Sequence, residues 1–350
     1  MYFGFYEKMK HRAITKYTNR LLTGYTDEKF SLTKAQGSEV RAFYEKYLGK
    51  KISLASHRFY AQKSGVFDPR FIPMCTYLNV IDEYFNNRAE SKFLDNKCYY
   101  PILFAGIRQP KILAMRMGGL WYSGDRELIT TEDVKALINA ETKIFAKQAT
   151  ASCGGKGVAC IEAENGNMYT QLEEFLNQAK GDVVIQRGLE QHENLSAVNK
   201  NSVNTIRVMS LLTQEGVKIY SAMLRLGVGE SRVDNVSSGG VTCGITESGI
   251  LKAKLYKLNG ESFDAHPTNG FRTDGYQLVG FDAAKELIRK AHPMVPHFRL
   301  VSWDIAIDKD GNAVLIEANL SKGSSEFLQL NNGPLFGDDT EKILDEVFGK

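Results

Sequence analysis

Cysteine is scarce in this chain of 350 residues: five, at 75, 98, 153, 160 and 243, an odd number with no CxxC pair. That pattern excludes a disulfide framework and a cysteine zinc site, and it suits a reducing cytoplasm. Histidine is as thin, six residues without an HxxxH pair, and His292 and His297 are separated by Pro293 and Pro296. A helical metal motif is therefore excluded. No apolar run approaches the ~18 residues that cross a bilayer, and no signal peptide opens the chain. The balance of 44 basic against 41 acidic side chains gives +3, too little to imply nucleic-acid binding. Internal repeats and low-complexity tracts are lacking too.

What is present is enough chain for two or three subdomains with a real core. The first ~90 residues read as mainly helical, with Ser38–Leu48 and Thr76–Asn86 as helices and Gly65–Pro73 as a loop. Residues 2–20 combine Lys8, Lys10, Arg12, Lys16 and Arg20 with Phe3, Phe5, Tyr6, Met9, Ile14 and Tyr17. Such a helix either lies on an anionic membrane surface or packs on its own domain or a partner. From about residue 98, short strands alternate with helices. Thr130–Asp133 reads as a helix start, Thr142–Lys147 and Val158–Glu162 as strands, and Tyr169–Ala179 as a helix. Strands follow at Asp182–Gln186 and Val203–Leu212, then a helix capped by Asp282 and a last helix at Asp338–Phe348. The mixture points to an α+β or α/β enzyme.

The most informative segment is 301–319, two apolar strands around Asp310-Gly311, a strong hairpin signal. With those two as the loop, Lys309 pairs with Asn312 and counting outward sets Asp304 opposite Glu317. Asn319 shares the face of Glu317 because strand side chains alternate. Facing carboxylates repel unless something positive sits between them. Two carboxylates and an amide oxygen suit a hard cation such as magnesium; the alternative is a pair of acids facing water.

Ala151–Gly157 is a glycine-rich loop between two strands, with Lys156 inside it and Lys147 on the incoming strand. Backbone amides there can approach phosphate oxygens closely. It is not a P-loop: Thr150 stands where Gly is needed, and Gly157 where Ser or Thr should follow the lysine. Arg207 and Arg225 sit in apolar strand contexts, where an arginine needs either a structural carboxylate or an anionic substrate. Asp308-Lys309-Asp310 has a rival reading as the metal motif of a glycosyltransferase, against ordinary turn chemistry.

Lys147, Cys153-Gly154-Gly155-Lys156-Gly157 and Asp304…Glu317-x-Asn319 together resemble the ATP-grasp superfamily, with a spacing like that of D-alanine–D-alanine ligases. Ser202–Val208, Asp234-Asn235 with Gly239-Gly240, Gln329…Asn332–Gly337 and the pattern around Phe43-Tyr44, His57, Gly65–Phe67 and Ile72-Pro73 are similar to the sugar-transfer-associated ATP-grasp proteins of polysaccharide gene clusters.

The resemblance, from about residue 31 to the end, implies an α+β ATP-grasp fold, two subdomains clasping ATP behind a helical N-terminal domain. Boundaries at 1–92, 93–187 and 188–350 follow. It implies ATP and Mg2+ as cofactors, with Asp304, Glu317 and Asn319 on the metal. Lys97, Lys147, Gly154, Gly155, Lys156 and Gly157 would meet the phosphates, and Gln186, Arg187 and Gly188 the adenine. Glu193 has a plausible spacing for the ribose; Asn204 and Asn235 complete the nucleotide set. Arg207, Arg225 and Lys156 are the catalytic candidates. The implied reaction joins a carboxylate, on a sugar acid of capsule or O-antigen synthesis, to an amine or amino acid through an acyl phosphate. A phosphotransferase, a metal-dependent glycosyltransferase and a non-catalytic nucleotide-binding module are the alternatives. The implied location is the cytoplasm or, through residues 2–20, the inner membrane face.

Overall fold

The structure is a computed structural model that describes residues 2–49, 52–150 and 157–349. Tyr2–Tyr25 is a helix, longer than the basic aromatic stretch predicts. It docks on its own chain: the Asn79 side-chain amide donates to the His11 carbonyl (3.1 Å) and to Thr15 Oγ1 (3.2 Å), and Lys10 pairs with Glu83 (3.2 Å). Leu22 is buried with Phe59, Tyr60 and Phe71. Among the described residues no helix is long and apolar enough to cross a membrane. The next helix starts at Lys34, four residues before the expected Ser38, because Thr33 and Gln36 form a reciprocal capping box. Residues 74–85 are one helical run interrupted by a π turn at Tyr77–Ile81.

A five-stranded antiparallel sheet follows: β1 Ile112–Met117, β2 Leu120–Ser123, β3 Lys143–Gln148, β4 Val158–Glu162 and β5 Val183–Arg187, in the order β2-β1-β5-β3-β4. Alternation assigns its faces. Ile144, Ala146, Val183 and Ile185 pack under the helices Thr131–Asn139 and Met168–Gln178, with Val134, Ile138, Met168 and Leu172 buried between. Phe145, Lys147, Val184 and Gln186 therefore lie on the opposite face. Thr130 caps the first of these helices in a capping box with Asp133, as the sequence predicts.

The second sheet is larger: β6 Thr205–Thr213, β7 Gly216–Leu226, β8 Val241–Ile245, β9 Leu251–Tyr256, β10 Ser262–Phe263, β11 Leu300–Ile307 and β12 Ala313–Asn319. Its order is β10-β9-β8-β7-β6-β11-β12, antiparallel throughout. Ile206, Val208, Leu224, Trp303 and Ile305 pack with Phe281, Ala284 and Ile288 of the helix Phe281–Ala291. That helix is capped by Gly280 rather than Asp282, which lies in its first turn. The helix Ser325–Asn332 contributes Phe327 and Leu328 to a separate core with Val40, Tyr44, Met209, Leu211 and Met223. The N-terminal helices are thus pinned against one end of the large sheet.

The β11–β12 hairpin differs from the simplest count in two places. Its loop has three residues, Lys309 to Gly311: the Asp308 amide donates to the Asn312 carbonyl (2.9 Å), and Gly311 adopts a φ of +82°. Asp308, not Lys309, is therefore opposite Asn312. A bulge beside Ile316 then shifts the register back, so that Ile305 faces Leu315 but Asp304 faces Glu317 and Ser302 faces Asn319. The two departures cancel, and the expected juxtaposition of acids results.

Candidate active site in the inter-sheet cleft

The free faces of the two sheets meet around a cavity of about 550 Å³. Backbone pairing lays a row of side chains across its floor: Glu317 on β12 beside Asp304 on β11, Asp304 beside Arg207 on β6, and Arg207 beside Met223 on β7. Asp304, 2 % exposed, accepts from Arg207 Nε and Nη2 (2.7 Å each) and from Arg225 Nη1 (2.7 Å). Burial alone would raise its pKa, but the two guanidinium groups hold it well below the usual carboxylate range. Arg225 is held in turn by Asp234 (3.2 Å) and Asn235, and Arg207 by Ser324 Oγ (2.8 Å). Glu317 is paired with Lys97 Nζ at 2.9 Å. Facing acids are thus compensated from within the chain, and their repulsion by itself no longer demands a metal.

Lys147 is in the opposite situation. It lines the cavity, and no carboxylate among the described residues lies within 4.0 Å of its ammonium. Burial pushes its pKa down to about 8, and neighbouring Lys97 adds to the depression. A cavity-facing cation with a depressed pKa is a group awaiting an anion.

Gln186 lines the same cavity, is buried, and has no hydrogen-bond partner for Oε1 among the described residues. Such an orphaned acceptor is costly unless a ligand supplies a donor. Pro110, Phe145, Leu189 and Ile316 are its apolar neighbours in the lining. The cavity thus combines apolar lining, one unpaired acceptor and a lysine without a carboxylate partner among the described residues.

The remaining candidates divide. Asn235 lines the cavity. Arg187 does too, but its guanidinium is drawn aside by a bidentate pair with Glu141 (2.6–2.9 Å). The Gly188 amide donates to the Lys143 carbonyl (2.8 Å), and a Cβ at Gly188 would lie 2.8 Å from the Lys143 side chain. Glycine there permits close strand approach rather than ligand contact.

Asn204 corrects the sequence reading. It is fully buried and off the cavity, its Nδ2 bonded to the Leu195 (2.9 Å) and Asn199 (2.7 Å) carbonyls, and its Oδ1 accepts from Ser202 (3.1 Å). Glu193 is exposed in the first turn of the helix Glu193–Val198, also away from the cavity. Gly154, Gly155 and Lys156 lie outside the described residues. Gly157 closes the β3–β4 hairpin, its carbonyl accepting from the Gln148 amide (2.7 Å), with a φ of +79°. Asp308 holds its own turn, accepting from the Asp310 and Asn312 amides (3.1 and 2.8 Å) and pairing with Arg108 (3.0 Å). This is the turn chemistry of the two readings for 308–310.

Asp95, Ser324 and Glu326 carried no site signal in the sequence, and Asp234 was noted only as part of a family-like segment; all four are in the cavity lining. Burial raises Asp95 to about 6, with Lys97 opposing and Glu317 adding. Each sits in an unremarkable polar stretch, and only the turn after β12 brings the last two in. That turn puts Lys322 (φ +58°) and Ser324 (φ +38°) in the left-handed region, conformations that side chains rarely adopt without a constraint.

A family model described as sugar-transfer associated ATP-grasp matches residues 80–343. The chain belongs to this family. Solved structures of low identity are similar to it. One is the ATP-grasp ligase PsnB in complex with a minimal precursor: TM-score 0.42, 15 % identity, covering 75 % of this chain and 64 % of that one. Another is D-alanyl-alanine synthetase A from Vibrio cholerae: TM-score 0.40, 11 % identity, covering 74 % and 66 %. Biotin carboxylase from Campylobacter jejuni is a third: TM-score 0.43, 14 % identity, covering 73 % and 46 %. The chain spans slightly under two thirds of the first two and under half of the third. No curated protein sequence matches it.

Proposed function

We propose that this ATP-grasp protein is a carboxylate–amine ligase that consumes ATP. Lys147 carries the reading: it lines the cavity with no carboxylate among the described residues within 4.0 Å of its ammonium, and its depressed pKa fits a place built for an anion. ATP fits with its base against the apolar lining, where its exocyclic amine would donate to Gln186 Oε1, and its phosphates beside Lys147 and Lys97. The glycine-rich loop, residues 151–157, would close over them and exclude water.

The oxygen donors fit a magnesium ion carried with ATP. Asp304 Oδ1 has one hydrogen bond, from Arg207. Asn319 donates through Nδ2 to the Ser302 carbonyl (3.1 Å), leaving its amide oxygen as an acceptor. Glu317 has a side chain 31 % exposed toward the cleft. Asp304, Glu317 and Asn319 would hold the ion, which supplies charge neutralisation on the phosphates.

A substrate carboxylate attacks the γ-phosphorus, ADP leaves, and an acyl phosphate forms. An amine then displaces phosphate from the acyl carbon. Arg207 and Arg225 each use three of five N–H groups on internal partners. The others can donate to the developing oxyanion. The first substrate in this reading is a carboxylated sugar of polysaccharide synthesis, a choice to which the family's association with sugar transfer lends support.

ADP release should be measured against uronic acids paired with amines and amino acids, with hydroxylamine as a trap. Hydroxamate formation supports the acyl phosphate. A phosphorylated product without amine dependence would instead make this a phosphotransferase, and ATP binding with no turnover for any pair a silent module.

A further inference from the structure

Glu326 is a carboxylate that the reaction above does not use. It lies in the first turn of the helix Ser325–Asn332 and lines the cavity. No Lys, Arg or His nitrogen among the described residues lies within 4.0 Å of it. The arginine whose field it feels most, Arg207, is bonded to Asp304 and Ser324. Tyr60 and Tyr77, buried neighbours from the N-terminal helices, stay protonated and add no positive charge. A carboxylate in the first turn of a helix is ordinarily favoured by the helix dipole. Here burial outweighs that help and raises its pKa. Capping therefore does not account for Glu326, and neither Arg207 nor Lys322, the cations that share its stretch of the lining, forms an ion pair with it.

We infer that Glu326 receives the second substrate as an ammonium ion, so that this part of the cavity selects amines that are basic and charged at neutral pH. The inference rests on the ligase reading. The strained turn at Lys322 and Ser324 aims the helix at the reaction centre, and Ser324 ties it to Arg207 and hence to Asp304. As the N–C bond forms, the acyl C–O bond to phosphate breaks and its electron pair leaves with phosphate. Of the two protons the ammonium gives up, one passes to Glu326 and one leaves with the phosphate. The carboxylate ends neutral.

The test compares two nucleophiles in the full-length protein. Hydroxylamine, uncharged at neutral pH, reports the acyl phosphate without needing a cation receptor; charged amino acids and alkylamines report the proposed one. In Glu326→Gln, KM for the charged amine should rise roughly 10–100-fold, the loss of one charge-assisted contact. Hydroxamate yield and KM for ATP should stay as in the wild type, and the thermal midpoint should not fall. Glu326→Asp should recover part of the amine affinity. Equal amine KM in wild type and Glu326→Gln would overturn the inference while leaving the ligase intact, as would a parallel fall in hydroxamate yield. No hydroxamate from the wild type with any acid would remove the ligase reading, and this assignment with it.

Discussion

Lys147→Met offers the sharpest test of the anion site, because it should stabilise the protein as it disables it. The substitution keeps the length of the side chain and removes its charge. Lys147 is held at about 8 against an ordinary 10.5, and each unit corresponds to about 1.4 kcal/mol. The full penalty is therefore about 3.5 kcal/mol, and solvent reaching the partly open cavity reduces it to about 1–3 kcal/mol. For a chain this long that raises the thermal midpoint of the ligand-free protein by roughly 1–4 °C at pH 7. The sign in pH follows from linkage. A lysine whose folded pKa lies below its unfolded value binds fewer protons in the native state, so its cost is full below about 8 and fades as pH rises toward 10.5. The gap between variant and wild type should accordingly shrink between pH 7 and pH 10. ATP affinity, measured by calorimetry, should fall roughly 10–100-fold. A variant no more stable than wild type at pH 7, or a stability gap indifferent to pH, would refute the argument that this cation is held in readiness for an anion.

Asp304→Asn should cost about 3–5 kcal/mol in urea unfolding, since it leaves two buried guanidinium groups without their shared carboxylate. With its folded pKa depressed, the wild-type contribution is present above the ordinary carboxylate pKa of about 3.9 and is lost only as pH falls through the lower folded value. Glu317→Gln should change stability little, because its partner Lys97 retains the cavity as an outlet, but should raise the magnesium concentration for half-maximal ADP release at least ~10-fold. Thr33→Ala should cost about 1 kcal/mol through loss of the capping box and leave activity unchanged, a control for global effects.

Much of the site was legible before any tertiary information. The Asp304–Glu317 pairing was reached by counting outward from a two-residue loop. It survives because the third loop residue and the bulge at Ile316 offset one another. The capping residue Thr130 and the strands on either side of the glycine-rich loop were readable because each is a local signal. Asn204 misled because a buried asparagine bonded to carbonyls and one that contacts a nucleotide look alike in one dimension.

Local rules of alternation and turn chemistry, working over ten to twenty residues, let the sequence alone determine which face of each strand carries charge. What neutralises that charge is not local. Arg207 and Asp304 are 97 positions apart, and Lys97 lies on a different element from Glu317. The sequence reading expected positive charge between the two facing carboxylates and assigned it to a metal, whereas cations of the chain itself compensate both acids. Only the tertiary structure decided that two arginines from neighbouring strands of the same sheet and a lysine from a separate helical turn supply it, and that Lys147 lines the cavity with no carboxylate among the described residues within 4.0 Å.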